Sequence, residues 1–336
     1  MNAAKNIAIV GATGAVGEEM LACLDQRNFP IGKLTLLASA RSAGKTRTFR
    51  GEEITIKELT HDSFAGIDIA LFAAGGDTSL EFAPSAAKAG CIVIDNSSAY
   101  RMDEDVPLIV PEINPEAAKN LPKNIIANPN CTTIISLMGL FPLHQKYGIK
   151  AIIASSYQAV SGSGTAGIVE LEAQTKALAA GEEIGDDLIN VYPVQIASNV
   201  IPHVDVFQEG GYTKEEIKMV NESRKILGIP DLKVTCTCVR VPVYRSHSVS
   251  ITAQFEKPVD VAGAKAAYAD YPGIQIKDDP DTESYPVPLD TTCKDDCLVG
   301  RIRMDQVVDN ALALWVVGDQ VRKGAALNAV QIAEIL

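Results

Sequence analysis

Apolar residues follow two different rhythms along this chain, and the change comes near residue 128. In the first part, short apolar runs at 6–10, 34–38, 67–74 and 91–95 alternate with helix-length stretches at 18–24 and 79–89. Strand-length runs separated by helices predict βαβ units and an open, mostly parallel sheet, whose ligands sit at the carboxyl ends of the strands. Beyond 128 a helical apolar run, Ile134, Ile135, Leu137, Met138 and Phe141, leads into a strand over 151–160. Helices are expected at 166–179 and 213–227, the second opened by Thr213 with Glu216 three residues later as a capping box. Strands return at 232–243 and 247–256, so the second part reads as α+β. The last segment, 319–335, is amphipathic, and periodicity does not say where it packs.

Period-two alternation singles out two side chains. In the strand from Leu232, Val234, Cys236, Cys238 and Arg240 share one face. In the next strand His247 shares its face with Val249, Ile251, Ala253 and Phe255. An arginine on an apolar face is costly unless something anionic meets it. An inward arginine and an inward histidine seven residues apart therefore predict a lined pocket, with His247 a candidate general acid and base.

Composition narrows the class of partner. The 336 residues are 47% hydrophobic and 21% charged, enough for two cores, and the net charge of −12 argues against nucleic acid or an anionic membrane surface. A local cationic pocket on such a protein still suits a small anionic substrate. No apolar run approaches the ~20 residues of a membrane span. The start, Met1 to Asn6, runs into a strand without signal-peptide anatomy, and seven cysteines, an odd number, suit reduced thiols in the cytoplasm. Cys236, Cys238, Cys293 and Cys297 lack the tight spacing of structural zinc, so no metal is expected.

Two stretches carry the chemistry. Gly11-Ala12-Thr13-Gly14-Ala15-Val16-Gly17 lies between a strand and a helix, the arrangement in which backbone N–H groups hold a dinucleotide pyrophosphate. The following strand ends at Ser39, Arg41, Ser42 and Lys45 where an acidic residue would select NAD, so NADP is expected. Asn128-Pro129-Asn130-Cys131-Thr132-Thr133 places a thiol at the start of a helix, where the N-terminal dipole favours a thiolate nucleophile. His144 ends that helix, roughly 20 Å along it at 1.5 Å per residue, and is too far to assist. His61 and His203 have weaker claims. Arg101 follows a strand end, where an anion could be met.

Together, the glycine turn, Ser39 to Ser42, Asn128 to Thr133, Gln158-Ala159-Val160-Ser161-Gly162 and Arg240…His247 resemble the aspartate-β-semialdehyde dehydrogenase family, in that family's order and from residue 6 to 335. The resemblance implies a Rossmann-type NADP-binding domain, residues 1–127 and 318–336, and an α+β catalytic and dimerisation domain, residues 128–317. It implies reversible, NADPH-dependent reduction of L-aspartyl-4-phosphate to aspartate semialdehyde and phosphate, within lysine, methionine, threonine and isoleucine biosynthesis. Cys131 is then the acyl-thioester nucleophile, His247 the acid/base and Gln158 the residue that orients the substrate. Arg240 meets the substrate carboxylate, Glu215 its amino group, and Arg101, Asn130 and Lys218 complete the substrate and phosphate site. Gly11, Thr13, Gly14, Ala15, Val16, Ser39, Arg41, Ser42, Ser161, Gly162 and Gln320 belong to the NADP site. A cytoplasmic homodimer or tetramer is implied, with no nucleic acid or membrane partner. Two departures stand out: Ser246 where glycine often precedes the histidine, and Gln320 where asparagine is common. Competing readings are reductases of N-acetylglutamyl phosphate or of the glyceraldehyde 3-phosphate type, and a non-catalytic NADP-binding redox sensor.

Overall fold

The first apolar run forms β1 (Lys5–Val10), and Gly11, at φ 84°, turns the chain into α1 (Ala15–Gln26). A side chain at Gly11 would approach the Ala73 carbonyl oxygen to 2.9 Å, and one at Gly17 would reach the Gly11 oxygen at 2.4 Å. These two glycines therefore serve the tight strand-to-helix turn itself. The computed structural model describes residues 3–336; the sequence expectation drawn from Met1 and Asn2 lies outside them.

The chain divides into two units, Met1–Asn130 with Ala325–Leu336, and Cys131–Gly324. In the first, β2 (Ile31–Ala38) is followed by β3 (Thr46–Phe49), β4 (Glu52–Thr55), β5 (Lys57–Glu58), β6 (Ile69–Phe72), α2 (Gly76–Lys88), β7 (Ile92–Asp95) and β8 (Ile125–Ala127). Six of these strands make a wholly parallel sheet in the order β5-β2-β1-β6-β7-β8, and β3 and β4 pair separately. Helix α2 starts at Gly76, three residues earlier than the expected 79, with Gly75 as its extended N-cap.

The second unit begins with α3 (Cys131–Tyr147), continues through β9 (Ile149–Gln158), α4 (Thr165–Ala179), α5 (Lys214–Leu227), β10 (Lys233–Arg240), β11 (His247–Phe255), α6 (Val261–Ala267), β12 (Ile274–Ile276) and α7 (Pro288–Thr291), and ends with β13 (Cys297–Met304) and β14 (Ala311–Gly318). Its mixed six-stranded sheet runs β10-β9-β11-β14-β13-β12. Helix α3 is apolar on nearly all sides and buries twelve residues; Gly139 lets it settle on β14, since a Cβ there would lie 2.4 Å from Val316 Cγ2. The last helix, α8 (Leu327–Glu334), returns to the first unit, where Leu327, Val330 and Ile332 join the core around Ile7, Ile9 and Leu24. The α/β class, with a parallel sheet and a separate mixed-sheet unit, is as expected.

Candidate active site

Cys131 is the first residue of α3, and the three residues before it are held firmly within the first unit. Arg101, 7% exposed, donates from Nε to the Asn128 carbonyl at 2.9 Å and from Nη2 to the Asn96 carbonyl at 2.8 Å. The Asn128 amide donates to Asn96 Oδ1 at 2.9 Å and accepts from Asn328 Nδ2 at 2.7 Å. Arg101 is thus no ordinary surface arginine: part of its guanidinium anchors the segment that runs into Cys131. At Gly324, a Cβ would come within 2.8 Å of Cys131 Cβ and 3.4 Å of Gln320 Cβ, so that glycine keeps the space beside the thiol open.

Inside the second unit a chain of polar contacts starts one residue beyond the thiol. Gln158 Nε2 donates to Thr132 Oγ1 at 2.5 Å and to Glu215 Oε1 at 3.2 Å. Glu215 Oε2 accepts from Lys218 Nζ at 3.0 Å, and the same ammonium reaches Asp205 Oδ2 at 2.8 Å. Burial works against the Lys218 charge, yet Glu215 and Asp205 outweigh it and hold its pKa above the ordinary lysine value. Glu215 is itself buried, so the pair is not the exposed ion pair that i, i+3 spacing alone suggests. Asp205, in a loop thirteen residues upstream of Lys218, carries no sequence signal for this role.

The cap of α5 fixes that arrangement. Thr213 Oγ1 accepts from the Glu216 N–H at 3.3 Å and Glu216 Oε2 accepts from the Thr213 N–H at 2.7 Å, the expected capping box. The second oxygen of Glu216 accepts from the Cys238 N–H at 2.9 Å, tying the helix start to β10.

Strands β9 and β10 run parallel with Gln158 opposite Arg240, and β11 opens with His247 opposite Gly318 of β14. Both alternation readings hold: His247 is fully buried and Arg240 is 6% exposed. Their common anchor is Ala159. Its N–H donates to His247 Nδ1 at 3.0 Å, and its carbonyl accepts from Arg240 Nη1 at 2.6 Å. The Arg240 guanidinium also lies 5.8 Å from the Tyr192 ring centroid. A side chain at Gly162 would lie 2.9 Å from Arg240 Nη1 and 3.3 Å from His247 Cε1, so glycine is what admits both groups to this loop. Burial, and then the Arg240 charge, hold the His247 pKa well below the usual histidine value.

The residue before the histidine, Ser246, has a left-handed backbone (φ 75°) that its surroundings stabilise. Its N–H donates to Gln320 Oε1 at 2.8 Å, and its hydroxyl meets those of Thr291 at 3.0 Å and Thr292 at 3.2 Å. Gln320 Nε2 in turn donates to Ser161 Oγ. Asp319, with no exposure, receives Arg245 at 2.6 Å and the Cys293, Val321 and Arg322 N–H groups, which fixes the turn that carries Gln320. Gln320, Ser161 and Gly162 are thereby brought together with His247.

Residues 6–121 match the family model described as semialdehyde dehydrogenase, NAD binding domain, and residues 140–323 match semialdehyde dehydrogenase, dimerisation domain. The aspartate-semialdehyde dehydrogenase of Aquifex aeolicus is 52% identical over 98% of this chain and 97% of its own length. The chain belongs to the aspartate-semialdehyde dehydrogenase family. A crystal structure of aspartate semialdehyde dehydrogenase II from Vibrio cholerae, described as complexed with ASA, matches with a TM-score of 0.96 and 46% identity, covering 100% of this chain and 98% of that one. The Candida albicans aspartate semialdehyde dehydrogenase, described as a structure with NADP, matches with a TM-score of 0.77 and 26% identity, covering 99% of this chain and 98% of that one.

As in a nicotinamide-dependent dehydrogenase of this family, the first unit offers a cradle for the cofactor. Gly14 is the N-cap of α1, and no side chain caps that helix, so its first N–H groups are left for an incoming phosphate. Thr13, Ala15 and Val16 are half-buried at the same turn. A short 3-10 turn, Ala40–Ser42, follows β2; Ser42 is buried, while Ser39 and Arg41 face solvent. No acidic residue occupies that turn. These residues fit the adenosine and pyrophosphate end of a nicotinamide dinucleotide.

The other histidines play structural parts. His144 Nδ1 accepts from the Ile149 N–H at 3.1 Å, His61 contacts Ser85 at 2.9 Å, and His203 stacks on Phe207 at 4.5 Å. Cys236 and Cys238 are buried with sulfurs 3.7 Å apart, and their mutual contact, with burial, pushes the Cys238 thiol up. Among the described residues, no three histidine, cysteine, aspartate or glutamate side chains gather as a metal site, and no helix is long and apolar enough to cross a membrane.

Proposed function

We propose that this protein catalyses the reversible, NADPH-dependent reduction of L-aspartyl-4-phosphate to L-aspartate 4-semialdehyde and phosphate, through an acyl-thioester on Cys131. The observation that carries this reading is the pairing of a buried Arg240, opposite Gln158 in the sheet, with the Gln158–Glu215–Lys218 chain, which reaches the start of α3 at Thr132. A free amino acid needs an anion partner and an ammonium partner, and Arg240 and Glu215 supply them. An N-acetylated substrate would bring no ammonium to Glu215. The V. cholerae relative described with ASA supports the same choice.

Cys131 attacks the acyl carbon, aided by its place at a helix N-terminus, and covalent catalysis divides the reduction into two easier steps. Asn130 and Gln158 orient the acyl group, and His247 serves its oxygen as acid/base. Arg101 and Lys218 receive the phosphate. The nicotinamide cofactor supplies the hydride. We assign it to Gly11, Thr13 to Val16, Ser39, Arg41, Ser42, Ser161, Gly162 and Gln320, with Arg41 and Ser42 selecting NADP over NAD. We assign the protein to the biosynthesis of lysine, methionine, threonine and isoleucine, to the cytoplasm and to a homodimer, the last supported by the match to a model described as a dimerisation domain.

The assay is phosphate-dependent reduction of NADP⁺ with aspartate semialdehyde, run beside N-acetylglutamate semialdehyde, glyceraldehyde 3-phosphate, and NAD⁺ in place of NADP⁺. Aspartate semialdehyde with NADP⁺ is expected to be strongly preferred, and Cys131→Ala to abolish turnover. Normal turnover by that variant would remove Cys131 from the mechanism.

A further inference from the structure

Lys218 is shared by two carboxylates from different parts of the chain. Its Nζ lies 3.0 Å from Glu215 Oε2 on the same helix and 2.8 Å from Asp205 Oδ2 in the loop before it. In the function proposed above, Glu215 takes the substrate ammonium and Lys218 the phosphate. Asp205 takes neither.

One carboxylate and one ammonium make a neutral pair, with little attraction left for a second cation. A substrate ammonium arriving at Glu215 would meet the Lys218 charge on the same carboxylate, and like charges that close repel. Asp205 changes the balance: Glu215, Lys218 and Asp205 together carry one negative charge, which a second ammonium neutralises. The Lys218 side chain is 18% exposed and that of Asp205 29%, so water screens them only in part. Burial pushes the Asp205 carboxyl up, yet Lys218 and the Val206 N–H outweigh it and hold its pKa below the usual carboxylate value. The charge is therefore present at neutral pH. Lys214 also acts on Asp205 but stands exposed, where water screens it. Glu216 is engaged elsewhere, its two oxygens accepting from the Thr213 and Cys238 N–H groups.

The backbone fixes Asp205 from both sides. Upstream, Ile201 and Arg240 exchange N–H to carbonyl bonds at 2.9 and 2.8 Å, which adds Ile201 to the edge of β10. Downstream, the Lys214 N–H donates to the Val206 carbonyl at 2.8 Å, and Phe207 pairs with Thr213, the cap of α5. Between these ties Asp205 has φ 67°, a left-handed conformation that aspartate and asparagine tolerate better than most side chains. Its Oδ1 accepts from the Val206 N–H at 2.8 Å, which leaves Oδ2 for Lys218. One loop thus joins the backbone of Arg240 to the helix that carries Glu215 and Lys218.

We propose that Asp205 is a positioning residue that sets substrate specificity: it is the counter-charge for Lys218 that leaves Glu215 able to take the substrate's α-ammonium. It acts through Lys218 and not on the substrate itself. This inference rests on the substrate reading given above and adds to it a residue which that reading does not use.

D205N removes the charge and little else, since asparagine suits the left-handed backbone and keeps an oxygen for the Val206 N–H. The test runs wild type and D205N in phosphate-dependent reduction of NADP⁺ with two aldehydes. One is aspartate semialdehyde; the other is 4-oxobutanoate, the same carbon chain without the amino group. In D205N the KM for aspartate semialdehyde is expected to rise roughly tenfold while kcat stays within about twofold, the mark of lost substrate binding. With 4-oxobutanoate, kcat/KM is expected to stay within about twofold of wild type. The KM for phosphate should hold level or fall, because Lys218 then answers to one carboxylate fewer.

Equal losses with the two aldehydes overturn the inference. So does a KM for phosphate that rises in step with that for aspartate semialdehyde, since Asp205 would then merely prop Lys218. Should D205N not fold, D205G, whose glycine adopts a positive φ freely, replaces it with the same expectations. A wild-type preference for aspartate semialdehyde that D205N retains defeats this inference alone. A wild type that turns over 4-oxobutanoate as well as aspartate semialdehyde defeats the reading of Glu215, and this inference with it.

Discussion

Cys131, Cys91 and Cys238 show how one side chain acquires different chemistry from its place. Burial and then Asp68 push the Cys91 thiol up to about 12, and contact with Cys236 and burial push Cys238 up too, so both stay protonated and inert. Cys131 stands half-exposed at a helix start instead. His247 has a measurable consequence for stability. Its native pKa is depressed, so below the unfolded value of about 6.5 the unfolded chain binds a proton that the native one refuses, and stability falls as pH drops. Between pH 6.5 and 5.5 this one residue should remove about 1 kcal/mol. Urea midpoints measured at both pH values should show that loss in the wild type and a smaller one in H247Q. His144, also depressed by burial, adds in the same direction and is common to both proteins. An equal loss in the two proteins would mean that His247 is not held neutral.

At the scale of the element, α5 links a local signal to the site. Its capping box was legible because Thr213 and Glu216 stand at a spacing that only a helix start satisfies. The same residues set the height of Glu215 and Lys218, since Glu216 also bonds the β10 backbone. Thr213→Ala should cost about 1 kcal/mol of stability. It should also raise KM for aspartate semialdehyde several-fold more than it lowers kcat, as steady-state kinetics would report. An unchanged KM beside a lowered Tm would detach the cap from the site. The alternation in β10 and β11 was equally legible, because a strand with one buried face writes its period into the sequence. The loop between α4 and α5 was not: it supplies Tyr192 and Asp205 without periodicity of any kind.

For the whole molecule, the second unit's sheet leaves one face partly open. Ile153 is 49% exposed, Tyr157 is 38% exposed, and Tyr157 packs on Trp315 at 5.3 Å between centroids. Ile153 and Tyr157 lie in the part of the chain that matches a model described as a dimerisation domain. A second copy of the chain is the occupant this face suits. On the homodimer proposed above, Ile153→Glu is expected to lower the mass seen in analytical ultracentrifugation to that of a monomer; an unchanged dimer mass would place the interface elsewhere, and a monomeric unsubstituted protein would remove the homodimer.

The sequence by itself determined the two kinds of sheet, the glycine turn, the thiol at a helix start and the inward pair Arg240 and His247. Each of these is set by near neighbours or by a repeating period, so each is written locally. Only the tertiary structure decided that Gln158 bridges Thr132 to Glu215, that Asp205 steadies Lys218, and that Gln320 joins Ser161 to Ser246. It also decided which nitrogen of His247 is left to donate, through an amide 88 residues away. Such contacts depend on strand register and loop path, which bring together residues with no periodic relation along the chain.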